Sequence, residues 1–553
     1  MTAIAAMATV VMSVTIVLAV FALISRHSAV TAQAAAERRQ KQAEGLVGFM
    51  LGDLNDKLDQ VHRLDIMQAV DDKAMAYFDS LPAADATDAA LMLRVDALKK
   101  IGNVRTEATG QLSAAIDSFQ SAVNLARELV RRSPDDVHRS AVLGDSLNWL
   151  GSAYWQVGNL GSALLDFSEA AALLQKAHAA NPDDNDLALE LAQTQSNIGH
   201  IVEARGDLAG AQSEYESSLQ LYRQLTARDP NNTNWQSYLG DGWDNLGKVG
   251  LERGRLDQAI AAYFSEHRIK AALAKDAGNH NAQAAFLVSN AILGRALAWC
   301  GDLETGLRYT EEAVGQAKAL LAFDASSTDW QEDLALYSQQ AGGLLRQQGK
   351  NDLAADANDD AVRIFESLLK KNPISGDFQR EFSQTRLEQA RLLISQGNAM
   401  AAKASAQSAL DIMEKLRAKT PDDRSSLLLD AQAHLLLGQT ASLFGDNTAA
   451  QREWTQARDL LQPALHAGGD PNFLAAYAEA VIRLDQIAAA RPVIARLNAM
   501  GYRTPDLIAL VASKHIDYPV NAEFQGRIAR IMQGEATQAP GISTDVRTAV
   551  VKH

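Results

Sequence analysis

Residues 242–250 read GWDNLGKVG, one position short of a phosphate-binding loop. The pattern G-x-x-x-x-G-K is present, but Val249 stands where such a loop needs a Ser or Thr hydroxyl for Mg²⁺. The preceding NTNWQSYLGD does not alternate like a strand, so no strand launches the turn. Other reactive groups are sparse. Carboxylate pairs recur as PDD at 134–136, 182–184 and 421–423, each after a proline at a helix junction, where acids cap the next helix. Cys300 has no paired histidine and abuts a turn glycine, which reads as a packing residue. A single cysteine also excludes a disulfide framework and a cysteine metal cluster. The eleven histidines form no H-E-x-x-H and no pair at helical spacing. The sequence therefore predicts no catalytic centre, no metal site and no cofactor.

What remains is recognition, and composition says on what scaffold. The chain has 553 residues, 47% of them apolar, with 6% aromatics and 12 prolines. Long periodic stretches without β-branched runs predict an all-α protein, too long for one core. A net charge of −15 argues against nucleic acid as a partner, which selects a basic face.

A repeat orders the chain. Pro134, Pro182 and Pro230 are 48 residues apart, as are Pro373 and Pro421. A second comb runs Gly110, Gly158, Gly206, Gly254, Gly301, Gly349, Gly397 and Gly445, every step 48 but one of 47. Fixed self-similarity on this scale predicts a solenoid. Glycine supplies the left-handed conformation that ends one helix, and the Asp or Asn that often follows caps the next. Five residues after each glycine stands a small residue (Ala115, Ala163, Ala211, Ala259, Gly306, Ala354, Ala402, Ala450). Four further on come Phe119, Phe167, Tyr215, Tyr263 and Trp454. Small against large lets two helices approach and interlock.

Trp243, Leu246, Gly247, Ala259 and Tyr263, with the pairs Leu150-Gly151, Ile198-Gly199, Leu293-Gly294 and Leu437-Gly438 ahead of four other turn glycines, resemble the tetratricopeptide repeat, W-x-x-L-G and then Ala and an aromatic. The resemblance covers residues 89–465 as eight units, longer than the family's usual repeat, with helices near 20 residues. It implies a right-handed superhelical solenoid whose first helices line a concave groove that holds a protein or peptide. On that frame the groove residues are Asn148, Ser152, Trp155, His200, Asp244, Lys248, Arg295, Gln339, Arg346 and Arg391. Amides, a few cations and an aromatic suit a peptide backbone. The Lys and Asn pair that clamps a chaperone tail in some family members is replaced by Asn148 and Ser152, then Ser196 and His200. Gly158, Gly206, Leu246, Gly247, Gly254 and Ala259 are structural repeat positions, and the loop-like glycines of 242–250 belong to that set.

Residues 1–25 carry no charged side chain, long enough for one membrane-spanning helix. Residues 26–88 read as a helical stalk and N-cap, 466–520 as a degenerate repeat or C-cap, and 521–553 as a disordered tail with little to bury. An apolar helix before long repeats also resembles bacterial fusions in which a kinase, TIR or winged-helix effector precedes the membrane. That resemblance implies the alternative function, the sensor half of a signalling protein whose effector lies upstream or is encoded separately. Arg26, Arg38, Arg39 and Lys41 follow the apolar run and favour cytoplasmic repeats. The fusion resemblance favours the periplasm, and the single cysteine is compatible with an oxidising compartment. The expectation adopted is a single-pass bacterial inner-membrane protein with periplasmic repeats, binding a protein or peptide partner.

Overall fold

The protein is described by a computed structural model over residues 87–109, 112–420, 423–466 and 468–534, with scattered positions before residue 74. Every regular element among these residues is helical. Sixteen helices form eight hairpins: α1 Asp88–Thr109 with α2 Leu112–Arg132, α3 Val137–Gln156 with α4 Leu160–Ala180, α5 Asn185–Ala204 with α6 Leu208–Arg228, α7 Thr233–Glu252 with α8 Leu256–Leu273, α9 His280–Trp299 with α10 Leu303–Phe323, α11 Thr328–Gln347 with α12 Asn351–Lys371, α13 Gly376–Ser395 with α14 Ala399–Arg417, and α15 Arg424–Leu443 with α16 Asn447–Leu461. A shorter ninth hairpin follows, α17 Pro471–Arg483 with α18 Ile487–Ala499, then α19 Pro505–Ser513 and α20 Ala522–Met532. The chain divides into two compact units, residues 1–194 and 195–553, the break falling inside α5.

The glycine comb stops the first helix of each hairpin. Gly158, Gly206, Gly254, Gly301, Gly349, Gly397 and Gly445 all have φ between 71° and 91°, the left-handed region open to glycine. The residue after each closes the old helix and opens the next. Asn159 N–H donates to Tyr154 O at 2.9 Å, and the Asn159 side chain accepts from Ser162 N. Asp207, Asp302, Asn398 and Asp446 repeat the pattern. In the ninth hairpin Asp485 takes this place at φ 60°, one of the few non-glycine residues that tolerates it. The acids of the PDD stretches cap as expected: Asp136 accepts from His138 N and Arg139 N, and Asp184 from Asp186 N and Leu187 N.

Hairpins close by a second register. Gly102, Gly151, Gly199, Gly247 and Gly438 each lie under a ring 16 or 17 residues later: Phe119, Phe167, Tyr215, Tyr263 and Trp454. Where the ring is absent, Gly294 faces Thr310, and Gly342 faces Asn358. A fully buried ring of this kind contributes roughly 2–3 kcal/mol.

Three expectations meet the described residues differently. The 242–250 stretch lies wholly inside α7, so its glycines serve helix contact and no phosphate turn exists. Residues 522–532, expected within a disordered tail, form α20, because Phe524, Ile528 and Ile531 find a cover in Ile260, Leu297 and Cys300. Isolated as a sequence, that segment showed no surface to receive it. The apolar run 1–25, most of the stalk 26–88, Gly110 and the tail beyond 534 lie outside the described residues, in which no helix is long and apolar enough to cross a membrane.

Candidate functional site

In unit 2 the first helices of successive hairpins touch one another, α9 with α11, α11 with α13, α13 with α15 and α15 with α17. The second helices have no comparable contacts among the described residues, so the first helices occupy the inside of the curve. A polar ladder ties them together. Gln340 donates to Ala291 O at 2.8 Å, and Gln384 to Gln339 Oε1 at 3.3 Å. Arg346 Nε reaches Glu388 at 2.6 Å, Arg391 reaches Gln432 at 3.2 Å, and Arg483 reaches Gln439 at 3.3 Å. Unit 1 has its own rungs, Lys99 to Asp145 at 2.5 Å and Asn148 to Thr194 at 2.7 Å.

The inner wall of α9, α11, α13, α15 and α17 encloses a cavity of about 600 Å³, bounded on one side by α19. Its lining is rich in amides (Gln339, Gln340, Gln347, Gln384, Gln432 and Gln439) and carries Arg295, Arg346, Arg391 and Arg483. Arg346 is the most engaged of these. Besides Glu388, it donates through both terminal nitrogens to Asp506 of α19, at 3.1 and 2.7 Å. Burial would lower the guanidinium's affinity for its proton, but the carboxylates of Glu388 and Asp506 outweigh it and hold the pKa up. Burial likewise works to raise Asp506, and the hydrogen bonds and charge of Arg346 override it, so its carboxyl stays below the usual range. Arg295 lies over the Trp299 ring at 5.6 Å, and no carboxylate pairs with it among the described residues.

Acids gather toward the other end of the same helices. Glu381 is pushed up to about 9 by burial and by Glu332, and Asp333 to about 6 by burial and by Glu332. On α7 and α8, Asp244 is raised by burial and by Asp241, and Glu266 reaches about 9 through burial and the Asp244 charge.

The ten residues expected in a groove fall into three groups. Arg295, Gln339, Arg346 and Arg391 line the cavity together. Lys248, His200 and Asp244 lie in unit 2 on α5 and α7, outside the cavity lining. Lys248 binds Glu203 at 2.6 Å, Tyr215 donates to Glu203 at 2.6 Å, and His200 Nδ1 stands 2.8 Å from the Tyr215 oxygen. With the phenol hydrogen committed to Glu203, His200 Nδ1 carries the hydrogen of that contact. Asn148, Ser152 and Trp155 belong to unit 1 on α3, where Asn148 is a ladder rung. Six of the ten (Asn148, His200, Lys248, Gln339, Arg346 and Arg391) thus spend polar groups on neighbouring helices, a use that spacing alone does not separate from ligand contact. Missed were the other amides (Gln340, Gln347, Gln384, Gln432 and Gln439) and the return segment, residues 502–510, which runs into α19. Gln384 and Gln432 are 48 apart, as are Arg391 and Gln439, so the repeat frame held that signal. For Asp506, Tyr502 and Leu510 there was no periodic signal. No cluster of three or more His, Cys, Asp or Glu suited to a metal occurs among the described residues.

No family model and no curated protein matches the chain. Solved structures do. The apo form of RapI is similar at 9% identity over 76% of this chain and 99% of that one, with a TM-score of 0.50. A Rap protein complexed with Competence and Sporulation Factor is similar at 10% identity over 77% and 99%, TM-score 0.42. A tetratricopeptide repeat protein from Parabacteroides merdae is similar at 15% identity over 58% and 97%, TM-score 0.29. At such identities the likeness concerns fold alone, and with the hairpin register above it shows an all-helical fold of stacked repeat hairpins.

Proposed function

We propose that the chain is a scaffold or sensor module that holds a protein or peptide in extended form along the first-helix face of unit 2. The observation that carries this reading is the amide- and arginine-lined cavity of about 600 Å³. An extended peptide presents one donor and one acceptor per residue, and a glutamine supplies one of each. Lining amides from α11, α13 and α15 follow successive helices, a spacing that suits a chain laid across them. No group on that wall is arranged to break or form a covalent bond, so the reading is of a binding protein and not an enzyme. Tethering to a bacterial inner membrane through residues 1–25, with periplasmic repeats, is part of the same proposal and rests on the uncharged apolar run.

The test uses cavity residues that the ladder does not consume. Full-length protein with Arg295→Glu and Gln347→Ala should lose its specific partner in affinity capture from envelope extract while keeping its helical circular dichroism. An unchanged set of captured species overturns the groove assignment. Alkaline phosphatase fused after His553 should be active, since that enzyme matures only when exported; an inactive fusion places the repeats in the cytoplasm.

A further inference from the structure

The cavity is not electrically neutral, and the chain supplies part of the answer itself. Its array wall, from α9 to α17, presents four arginines (Arg295, Arg346, Arg391, Arg483) against two glutamates, Glu388 and Glu479. That is a surplus of two positive charges in a chain of net −15. The offsetting acid is Asp506, which comes from the return segment and not from the array.

The two carboxylates on Arg346 differ in kind. Glu388 sits on the adjacent helix with its side chain 6% exposed and belongs to the ladder. Asp506 approaches the outer edge of the guanidinium with its side chain 55% exposed, in the bidentate geometry that an incoming carboxylate adopts. The segment that carries it is fixed at its two sides. Upstream, Arg503 N–H donates to Trp299 O at 2.6 Å. Downstream, Gln525 donates to Cys300 O at 3.1 Å and Arg527 pairs with Asp257 at 2.8 Å. Between these anchors α19 is nine residues long and buries only Leu507 and Val511. Leu507 and Val511 pack into the end of the array, and Lys514 pairs with Asp485 at 2.9 Å. What can leave Arg346 while the segment stays anchored is the exposed Asp506 side chain in the first turn of α19.

We propose that the arginine end of the cavity is a recognition site for the carboxylates of an acidic peptide, with Asp506 as an internal stand-in that the peptide displaces. The inference rests on the peptide-binding reading of the groove and adds to it the ligand's charge and the competitor. A displaced Asp506 leaves Arg346 its outer two donors, with Arg391 and Arg295 alongside, and the lining amides then meet the peptide backbone. A polyphosphate backbone, with a charge on every unit, exceeds the wall's surplus of two positive charges, whereas a peptide can space a few carboxylates between neutral residues.

The experiment uses the full chain, its Asp506→Asn and Asp506→Glu variants, and two fluorescein-labelled eight-residue peptides, one with three glutamates and one with glutamines in their place. By fluorescence anisotropy, Asp506→Asn should bind the glutamate peptide about tenfold more tightly than the parent, and Asp506→Glu should restore the parental affinity. The glutamine peptide should not distinguish the three proteins. In the parent, saturating glutamate peptide should accelerate hydrogen exchange over 505–513, a readout independent of how the variants fold. Equal binding of both peptides by all three proteins, with protection on the first helices, overturns this inference and leaves the groove reading standing. No binding of either peptide by any protein overturns both. Tighter binding of a ten-nucleotide single-stranded RNA than of the glutamate peptide overturns the assignment of ligand class.

Discussion

The hairpin register makes a quantitative claim at Gly247. An added Cβ there would lie 2.6 Å from Tyr263 Cδ1 and 2.9 Å from Cζ, closer still to Cε1, and Tyr263 is buried. Two terms oppose each other in Gly247→Ala. Alanine gains about 1 kcal/mol of helix propensity over glycine in a helix interior. Overpacking a well-filled core costs about 1–3 kcal/mol, and a ring held on both sides puts this site toward the upper end. The net expectation is a loss of about 1–2 kcal/mol. Gly315 on α10 is the control: it is exposed, and nothing lies within 4 Å of its added Cβ, so Gly315→Ala should stabilise by about 0.5–1 kcal/mol. Native-state hydrogen exchange reads both, and because repeats couple mainly to neighbours, the loss from Gly247→Ala should concentrate in α7 and α8 and the hairpins beside them. A Gly247→Ala/Tyr263→Leu double variant should recover part of the loss through coupling at the contact. If Gly247→Ala behaves like Gly315→Ala, or if protection falls uniformly over all eight hairpins, the small-against-large register is not what holds the array.

Two more outcomes follow from buried groups. Glu266, 4% exposed and with its Oε2 unpartnered, is raised to about 9 by burial and by Asp244, against the pull of Lys270. It stays protonated in the fold while ionising in the unfolded chain, so it lowers stability progressively as pH rises from its unfolded pKa near 4.5 toward 9. Glu266→Gln should therefore raise resistance to urea by about 2 kcal/mol at pH 8 and by far less at pH 5; equal effects at the two pH values refute it. Cys300 is 2% exposed, with its thiol pushed up by burial. It should be silent to a disulfide reagent in the native protein and react stoichiometrically in guanidinium, whereas prompt native reaction would show that the α20 cover opens readily.

What sequence reveals here follows from which contacts are periodic. Turn glycines, caps and the glycine-to-ring register recur because every hairpin solves the same local problem, and so the repeat unit, its eight copies and the fate of GWDNLGKVG could be read directly. Lys248, Arg346 and Arg391 sit at readable positions, but their partners Glu203, Glu388 and Gln432 lie one repeat away. Side-chain reach across that gap is not a property of spacing. The return segment was the least legible part. Arg503 and Asp506 act on Trp299 and Arg346, more than 150 residues earlier in the chain, and a single such meeting leaves no pattern.

The central claim is that the first-helix face of unit 2 is where a partner lies. A photo-crosslinking amino acid placed at Gln347 or Gln384 on the cavity wall, and at Arg363 on the outward second helix α12 as control, tests it in living cells. The account predicts one shared adduct from both cavity positions, mapping to a single segment of the partner, and none of it from position 363. Crosslinking from 363 alone, or equal adducts at all three positions, would contradict it.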